Sequence, residues 1–283
     1  MAKCDLCGQE AGLLRKRHKE CEATLQTGKS EIVALVAQSV LASPDLPSLQ
    51  VRLAEIGQRS FLTQADQKHL IIEAWQKAVD QALEDDILSS EEEESLMGFA
   101  DSLFLTRDDL DESGAFSRVV KVAVIRDILE GTLPRRMSFM GELPFNFQKG
   151  ENLVWVSSDA TYYEQRMRTH YEGGYQGVSV RVAKGLYYRV GGFRGRPVST
   201  AQMVNSGTGP LGITDRHIYF AGPTKAFRVK YDKIVSFTAY SDGIGIQRDA
   251  QSAKPQVFVT GDGWFTYNLI SNLAKASGGL TTR

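Results

Sequence analysis

Asp127-Ile128-Leu129-Glu130-Gly131-Thr132-Leu133-Pro134-Arg135-Arg136 is where this 283-residue chain changes character. Before it, apolar residues recur at helical spacing; beyond about residue 150 they alternate with period two. Gly131 and Pro134 close the last helix of the first part. Charge switches at the same place: residues 1–135 hold 15 Lys+Arg against 24 Asp+Glu, and residues 136–283 hold 18 against 10. A joint change of period, charge and composition marks a domain boundary, and the expected fold class is multidomain α+β.

The chain as a whole, 42% hydrophobic and 24% charged, has a globular composition. Its 33 basic and 34 acidic side chains nearly cancel, so no bulk attraction draws it to nucleic acid or anionic lipid. No apolar run approaches the roughly 20 residues that cross a bilayer, and Met1-Ala2-Lys3-Cys4-Asp5 opens no apolar leader. The expectation is a cytoplasmic protein, peripheral at the inner membrane if a local basic face binds lipid.

All three cysteines lie in the first 21 residues, an arrangement that argues against a disulfide framework. With His18 they form Cys4-x2-Cys7-x10-His18-x2-Cys21, four zinc-type ligands. Gly8 permits the tight turn a knuckle needs, and a helical turn places His18 and Cys21 on one face. Four such donors suit a closed, structural Zn²⁺ site without an open position for water or substrate. The competing reading is reduced surface thiols beside an unrelated histidine. Arg15, Lys16, Arg17 and Lys19 flank the ligands, either to touch phosphate or to steady an anionic thiolate site. The expected knuckle covers residues 1–26.

Thr27-Gly28-Lys29-Ser30 imitates the end of a P-loop. The cradle also needs a glycine where Ala23 stands, and no strand precedes it. Ser30 reads instead as the cap of a following helix. From there to about 130 the chain reads as some five helices, with Leu70, Ile71, Ala74, Trp75, Ala78 and Leu83 at helical spacing, then Val119, Val122, Ala123, Ile125, Arg126 and Leu129. Breaks are expected at Ser43-Pro44-Asp45 and Leu46-Pro47. The expected bundle covers residues 27–135.

Within it stands Leu83-Glu84-Asp85-Asp86-Ile87-Leu88-Ser89-Ser90-Glu91-Glu92-Glu93-Glu94. Ile87-Leu88 sits in a turn, and Ser89 with Glu92, or Ser90 with Glu93, makes a capping box. The segment resembles the TerB (tellurite-resistance B-like) helical domains, through Asp85, Ile87, Leu88, Ser89, Glu91 and Glu92, with Asp86 where that family usually has glycine. The resemblance covers about residues 60–131. It implies an acid-rich bundle associated with stress resistance, divalent-ion binding and membrane-linked complexes. Asp85, Asp86 and Glu92 are the candidate hard ligands for Ca²⁺ or Mg²⁺.

In the second half Val178, Val180 and Val182 alternate with polar or small residues, as do Phe227, Val229 and Tyr231. Further strands are expected at 153–156, 186–190, 211–220, 234–240, 244–247 and 256–260, and an amphipathic helix at 264–274. Gly212-Ile213-Thr214-Asp215-Arg216-His217-Ile218-Tyr219-Phe220 and Tyr231-Asp232-Lys233-Ile234 resemble the pleckstrin-homology/GRAM superfold. That resemblance implies, over residues 140–283, an antiparallel β domain closed by a carboxy-terminal helix, a class that binds lipid headgroups, peptides or proteins and is not ordinarily enzymatic.

Between 166 and 196, Arg166, Arg168, Arg181, Lys184, Arg189, Arg194 and Arg196 stand against one acid, Glu172, and are interleaved with Tyr171, Tyr175, Tyr187, Tyr188 and Phe193. Arg181, Lys184, Arg189, Arg194 and Arg196 are the candidate ligand-binding residues, with Gly191–Arg196 expected as a loop. Cations with aromatics suit anionic headgroups or stacked single-stranded bases; a solvated strand face, or docking to the acidic half, accounts for them equally. No nucleophile elbow or paired-carboxylate site is evident, so no enzyme is expected. The reading is a non-enzymatic adaptor, bacterial or phage-borne in stress or defence by family resemblance, binding a protein partner or anionic membrane. The alternative is a nucleic-acid-binding protein using the zinc module and the 181–196 segment.

Overall fold

The computed structural model describes residues 2–12, 16–42, 45–84, 87–137, 142–172, 175–183, 186–193, 196–250 and 252–276, with the backbone alone at 2, 12 and 168–200. The chain divides into two compact units, Met1–Glu130 and Gly131–Arg283.

The first unit opens with a short ribbon, β1 (Ala2–Lys3) and β2 (Glu10–Gly12), and continues through six helices among the described residues. These are α1 (Lys19–Val40), α2 (Leu46–Arg59), α3 (Gln64–Ala82), α4 (Ser90–Ser102), α5 (Arg107–Asp111) and α6 (Ala115–Leu129). Helix α1 begins eleven residues before the expected cap at Ser30, which lies inside it. The glycine behind that misreading has a packing role: a Cβ at Gly28 would fall 2.1 Å from Ser60 Oγ, so only glycine lets α1 approach the end of α2. Pro47 likewise opens α2 rather than breaking the chain, in the first turn where its missing N–H costs nothing.

The core of this unit is built from single faces of several helices. Ile32, Val36 and Val40 of α1, Ala74, Trp75 and Ala78 of α3, and Val119 and Ala123 of α6 are fully buried. Trp75 donates its indole N–H to Leu96 O on α4 at 2.9 Å, which satisfies the ring's polar atom inside the core. Leu129, periodic in sequence, is 67% exposed.

Three of the connections repeat one device. Phe61-Leu62-Thr63-x-x-Asp66, Ile87-Leu88-Ser89-x-x-Glu92 and Phe104-Leu105-Thr106-x-x-Asp109 each bury the leucine and close a reciprocal capping box at the next helix. Phe61 and Phe104 sit in left-handed backbone at φ 58° and 55°. Their helices end in Schellman bonds, Leu62 N–H to Gly57 O and Leu105 N–H to Ala100 O, both 3.0 Å. That position usually takes glycine, so an aromatic residue there is strained.

The second unit contains β3 (Leu153–Glu172), β4 (Tyr175–Ala183), β5 (Leu186–Phe193), β6 (Arg196–Thr214), β7 (His217–Ala221), β8 (Ala226–Lys230), β9 (Ile234–Ala239), β10 (Gly243–Arg248), β11 (Gln256–Val259) and α7 (Gly263–Ala276). Seven strands form one antiparallel sheet, in the order β8-β7-β6-β3-β11-β10-β9, and β4 with β5 makes a separate ribbon. The expected strand at 211–220 is in fact two, joined by a turn at Asp215-Arg216. Gly191–Phe193, expected in a loop, belong to β5.

The sheet curls. Phe227 of β8 and Phe258 of β11 are four strands apart, about 19 Å in a flat sheet, yet their ring centroids lie 6.2 Å apart. Tyr162 and Phe220 fill the space between them, with centroids 5.2 Å apart. Helix α7 packs on β9 and β10, and its Phe265 meets Trp155 of β3 edge-on at 4.6 Å. The result is a half-barrel with an aromatic interior and a helix against its end strands.

A strap of residues 145–152 is pinned to the β6–β7 hairpin by Glu151. Its fully buried carboxylate lies 2.8 Å from His217 Nδ1 and accepts from Thr214 Oγ1, from Tyr219 OH at 2.7 Å and from Gln148 N–H at 2.8 Å. Burial works to raise its pKa, but the hydrogen bonds prevail and hold it below the ordinary value. His217 and Thr214 therefore act here as anchors: the Thr214 hydroxyl also accepts from the His217 N–H at 2.8 Å.

Two outcomes are expected. Ser89→Ala should lower unfolding stability by about 1 kcal/mol, whereas Phe104→Gly should raise it by about 0.5–1 kcal/mol, the relieved left-handed strain less the freedom glycine adds to the unfolded chain; urea titration of both variants checks the opposite signs. In the second unit, burial works to raise the pKa of Glu164, but its bonds to Lys225 and Arg166 win and hold it at about 2. An acid depressed on folding stabilises fully above its unfolded value, about 4.3, and that contribution disappears as pH falls through the window toward 2. Glu164→Gln should therefore be destabilising at pH 7, with a deficit that shrinks progressively below about pH 5 in acid-denaturation curves.

Candidate metal centre

The amino-terminal ribbon folds back on itself through backbone bonds. Cys4 N–H donates to Gln9 O at 2.7 Å, and Gly8 N–H to Cys4 O at 2.9 Å. Gly8 has φ +73°, the left-handed backbone that the turn after Cys7 requires. Asp5 N–H reaches Lys16 O at 3.0 Å, which returns the chain to the start of α1. His18 is the N-cap of α1, in extended backbone at ψ 146°, and makes no side-chain cap bond. Cys21 lies in the first helical turn, so the ribbon and the helix start contribute ligands to a common point.

The four side-chain donors of Cys4, Cys7, His18 and Cys21 all lie within 4.8 Å of one another. His18 Nδ1 is 3.3 Å from Cys7 Sγ and 3.7 Å from Cys21 Sγ. A tetrahedron with metal–sulfur bonds of about 2.3 Å and a metal–nitrogen bond of about 2.0–2.1 Å has S···N edges of about 3.6 Å. The observed pair brackets that edge, so His18 stands at tetrahedral spacing from Cys7 and Cys21, and Cys4 lies within reach of the same point.

The histidine is oriented from behind. Its Nε2 lies 2.9 Å from Glu10 O and donates to that carbonyl, which leaves the Nδ1 lone pair facing the sulfurs. The Glu10 carbonyl, followed by the Cys7 side chain, raises the His18 pKa. The Cys4 thiol is drawn down to about 6, chiefly because the Cys7 backbone N–H donates to it, with help from the His18 and Leu6 N–H groups against its own burial. Burial pushes the Cys21 thiol up to about 11, reinforced by the hydrogen bond and charge of Cys7. One corner is thus ready-made thiolate and another keeps its proton until a cation replaces it. Leu6, between the first two cysteines, packs against the helical core.

The other sequence candidates fall elsewhere. Asp85 and Asp86 lie outside the described residues, as do Lys184 and Arg194. Glu92 Oε2 accepts from Ser89 N–H at 2.9 Å and Ser89 Oγ–H at 2.8 Å, closing the cap of α4. Arg181 and Arg189 occupy diagonal register positions across the β4–β5 ribbon, and Arg196 opens β6 opposite Glu172. Sequence spacing supplied the four metal donors but not the Glu10 carbonyl behind His18, because a backbone atom carries no residue-type signal. No family model, curated protein or solved structure matches this chain.

Metal-stripped protein is expected to take up one equivalent of Co²⁺ with the visible absorption of a tetrahedral thiolate complex, and to release protons as it does so. Cys21→Ser should abolish that spectrum, and acidification from pH 7 toward 5 should displace the ion from the wild type as the thiolates and His18 take up protons; absorption titration reads all three.

Proposed function

We propose that the chain is a non-enzymatic adaptor in which a structural zinc fixes the amino terminus, a TerB-like bundle follows, and a pleckstrin-homology/GRAM-like domain recruits the protein to a partner protein or an anionic membrane. The observation that carries this reading is the Cys3His donor set, four protein ligands within 4.8 Å of one another: bound to one tetrahedral ion, they would leave no coordination position for a substrate. Zinc is the ion of choice because three thiolates and one imidazole match its softness and geometry.

Support for the TerB-like assignment is the Ile87-Leu88-Ser89 turn, whose serine caps α4 and whose Leu88 carbonyl accepts from Arg126 Nη1 at 3.0 Å. Support for the pleckstrin-homology/GRAM-like assignment is the antiparallel order, with β3 at the centre and the carboxy-terminal α7 packed on β9 and β10. The β4–β5 ribbon lies in sequence between β3 and β6, the two longest described strands, and carries Arg181 and Arg189 of the basic run, while Arg196 opens β6. A bacterial or phage setting in stress or defence rests on the family resemblances.

Elemental analysis of protein purified without added metal should give about one zinc per chain, and a metal-free, fully folded protein would overturn the scaffold role. Pelleting with phosphatidylglycerol vesicles should fall about thirty-fold in Arg194→Ala/Arg196→Ala, as expected for two basic residues worth about 1 kcal/mol each near an anionic surface. Silence on vesicles with a captured protein partner keeps the adaptor reading. Salt-sensitive retention of DNA or RNA without vesicle binding would replace it with nucleic-acid recognition.

A further inference from the structure

A pocket of about 430 Å³ in the second unit is lined by Tyr162, Glu164, Lys225, Phe227, Arg248 and Gln256, together with small neighbours. These residues come from β3, β8 and its turn, β10 and β11, so the curl of the sheet creates the pocket. It contains none of the metal ligands and none of the basic ribbon.

The hydrogen bonds inside it have one consistent direction. Glu164 is bonded to Lys225 and, at 2.8 Å, to Arg166, which keeps it an ionised acceptor. The Tyr162 hydroxyl, 3.3 Å from Glu164 Oε2, therefore gives its single proton to that carboxylate. Its oxygen can then only accept from Gln256, which must present Nε2–H at 2.7 Å. That order leaves Gln256 Oε1 without a partner among the described residues, on a side chain only 4% exposed. Arg248 Nε is also buried without a partner there. Buried polar groups in folded proteins are almost always satisfied, and two of the residues lining this pocket thus carry an acceptor and a cationic donor that the described residues leave unmatched.

A ligand that completes it must bring an acceptor to Arg248 and a donor to Gln256. The lining cations Lys225 and Arg248 outnumber the single anion Glu164, which selects for negative charge. Tyr162 and Phe227, with centroids 5.0 Å apart, supply an apolar wall. A phosphodiester has no proton to offer Gln256 Oε1 and would set anionic oxygen against it. A carboxylate next to an amide N–H meets both requirements.

We propose that this pocket binds an α-amido carboxylate, the group found at a polypeptide carboxy terminus and in free N-acyl amino acids. Arg248 holds the carboxylate, Gln256 Oε1 accepts from the adjacent N–H, and the Tyr162–Phe227 wall takes the terminal side chain. This assignment does not rest on the basic ribbon or on the adaptor reading.

The test is calorimetric titration of the full-length, metal-loaded protein with N-acetyl-alanyl-alanine, its carboxy-terminal amide, N-acetylalanine and inorganic phosphate. Saturable one-to-one binding of the free acid is expected, weakened about tenfold or more for the amide and in Arg248→Met. Gln256→Glu, which keeps the side-chain shape but sets a second carboxylate against the ligand, should weaken binding similarly, and it keeps the proposal testable if Arg248→Met fails to fold. Tighter binding of the dipeptide than of N-acetylalanine identifies a chain terminus as the source; equal binding identifies a free small acid. No saturable binding up to about 10 mM, equal binding of acid and amide, or phosphate competing as effectively as the acid would each overturn the proposal and assign the pocket to solvent or to a simple anion.

Discussion

In the proposed reading, the amino terminus of the first unit is fixed by four side chains that meet at one point. A ribbon of two and three residues has too few ladder bonds to persist unaided, and His18 at the start of α1 makes no side-chain cap bond. Coordination of the proposed zinc would do both jobs. It would tie β1, the Cys4–Gly8 turn and the first turn of α1 together, at apparent energies of about 10–16 kcal/mol for structural zinc in small modules. Helix α1 then carries that fixed point into the core through Ile32, Val36 and Val40. The uneven acidities of Cys4 and Cys21 fit this role, since a site that must lose protons to load is stable at neutral pH and weak in acid.

The second unit solves a different problem. An antiparallel sheet of seven strands has one face to cover, and here it curls until the rings of Tyr162, Phe220, Phe227 and Phe258 cover one another. The same curl draws Lys225 and Arg248, from opposite sides of β3 in the sheet, onto one pocket. An apolar interior that ends in Glu164, Arg248 and Gln256 places charge where the dielectric is low, and polar groups there are strongly directional.

Legibility in the sequence followed how locally each feature is encoded. The Cys-x2-Cys and His-x2-Cys pairs declare themselves by residue type and spacing, and the Ser89–Glu92 box by its three-residue offset. The helical and strand halves were visible because each keeps its own period. What failed was tertiary in origin. Gly28 looked like loop punctuation because its reason, the Ser60 side chain, lies 32 residues away in α2's cap. The lengths of β3 and β6, 20 and 19 residues, exceed the strands expected at 153–156 and from 211 onward, because the two are held extended by pairing with each other across several register shifts, which leaves no local signal. The pocket was invisible for the same reason: Glu164 and Gln256 meet only through the β3–β11 register.

The central claim is that the amino-terminal donors form a closed coordination shell that serves as scaffold. X-ray absorption at the zinc edge of the purified protein tests it most directly. The account predicts three sulfur scatterers at about 2.3 Å and one nitrogen at about 2.0–2.1 Å, with no further light ligand. A shell dominated by oxygen and nitrogen, or one with an exchangeable water completing it, would contradict the claim.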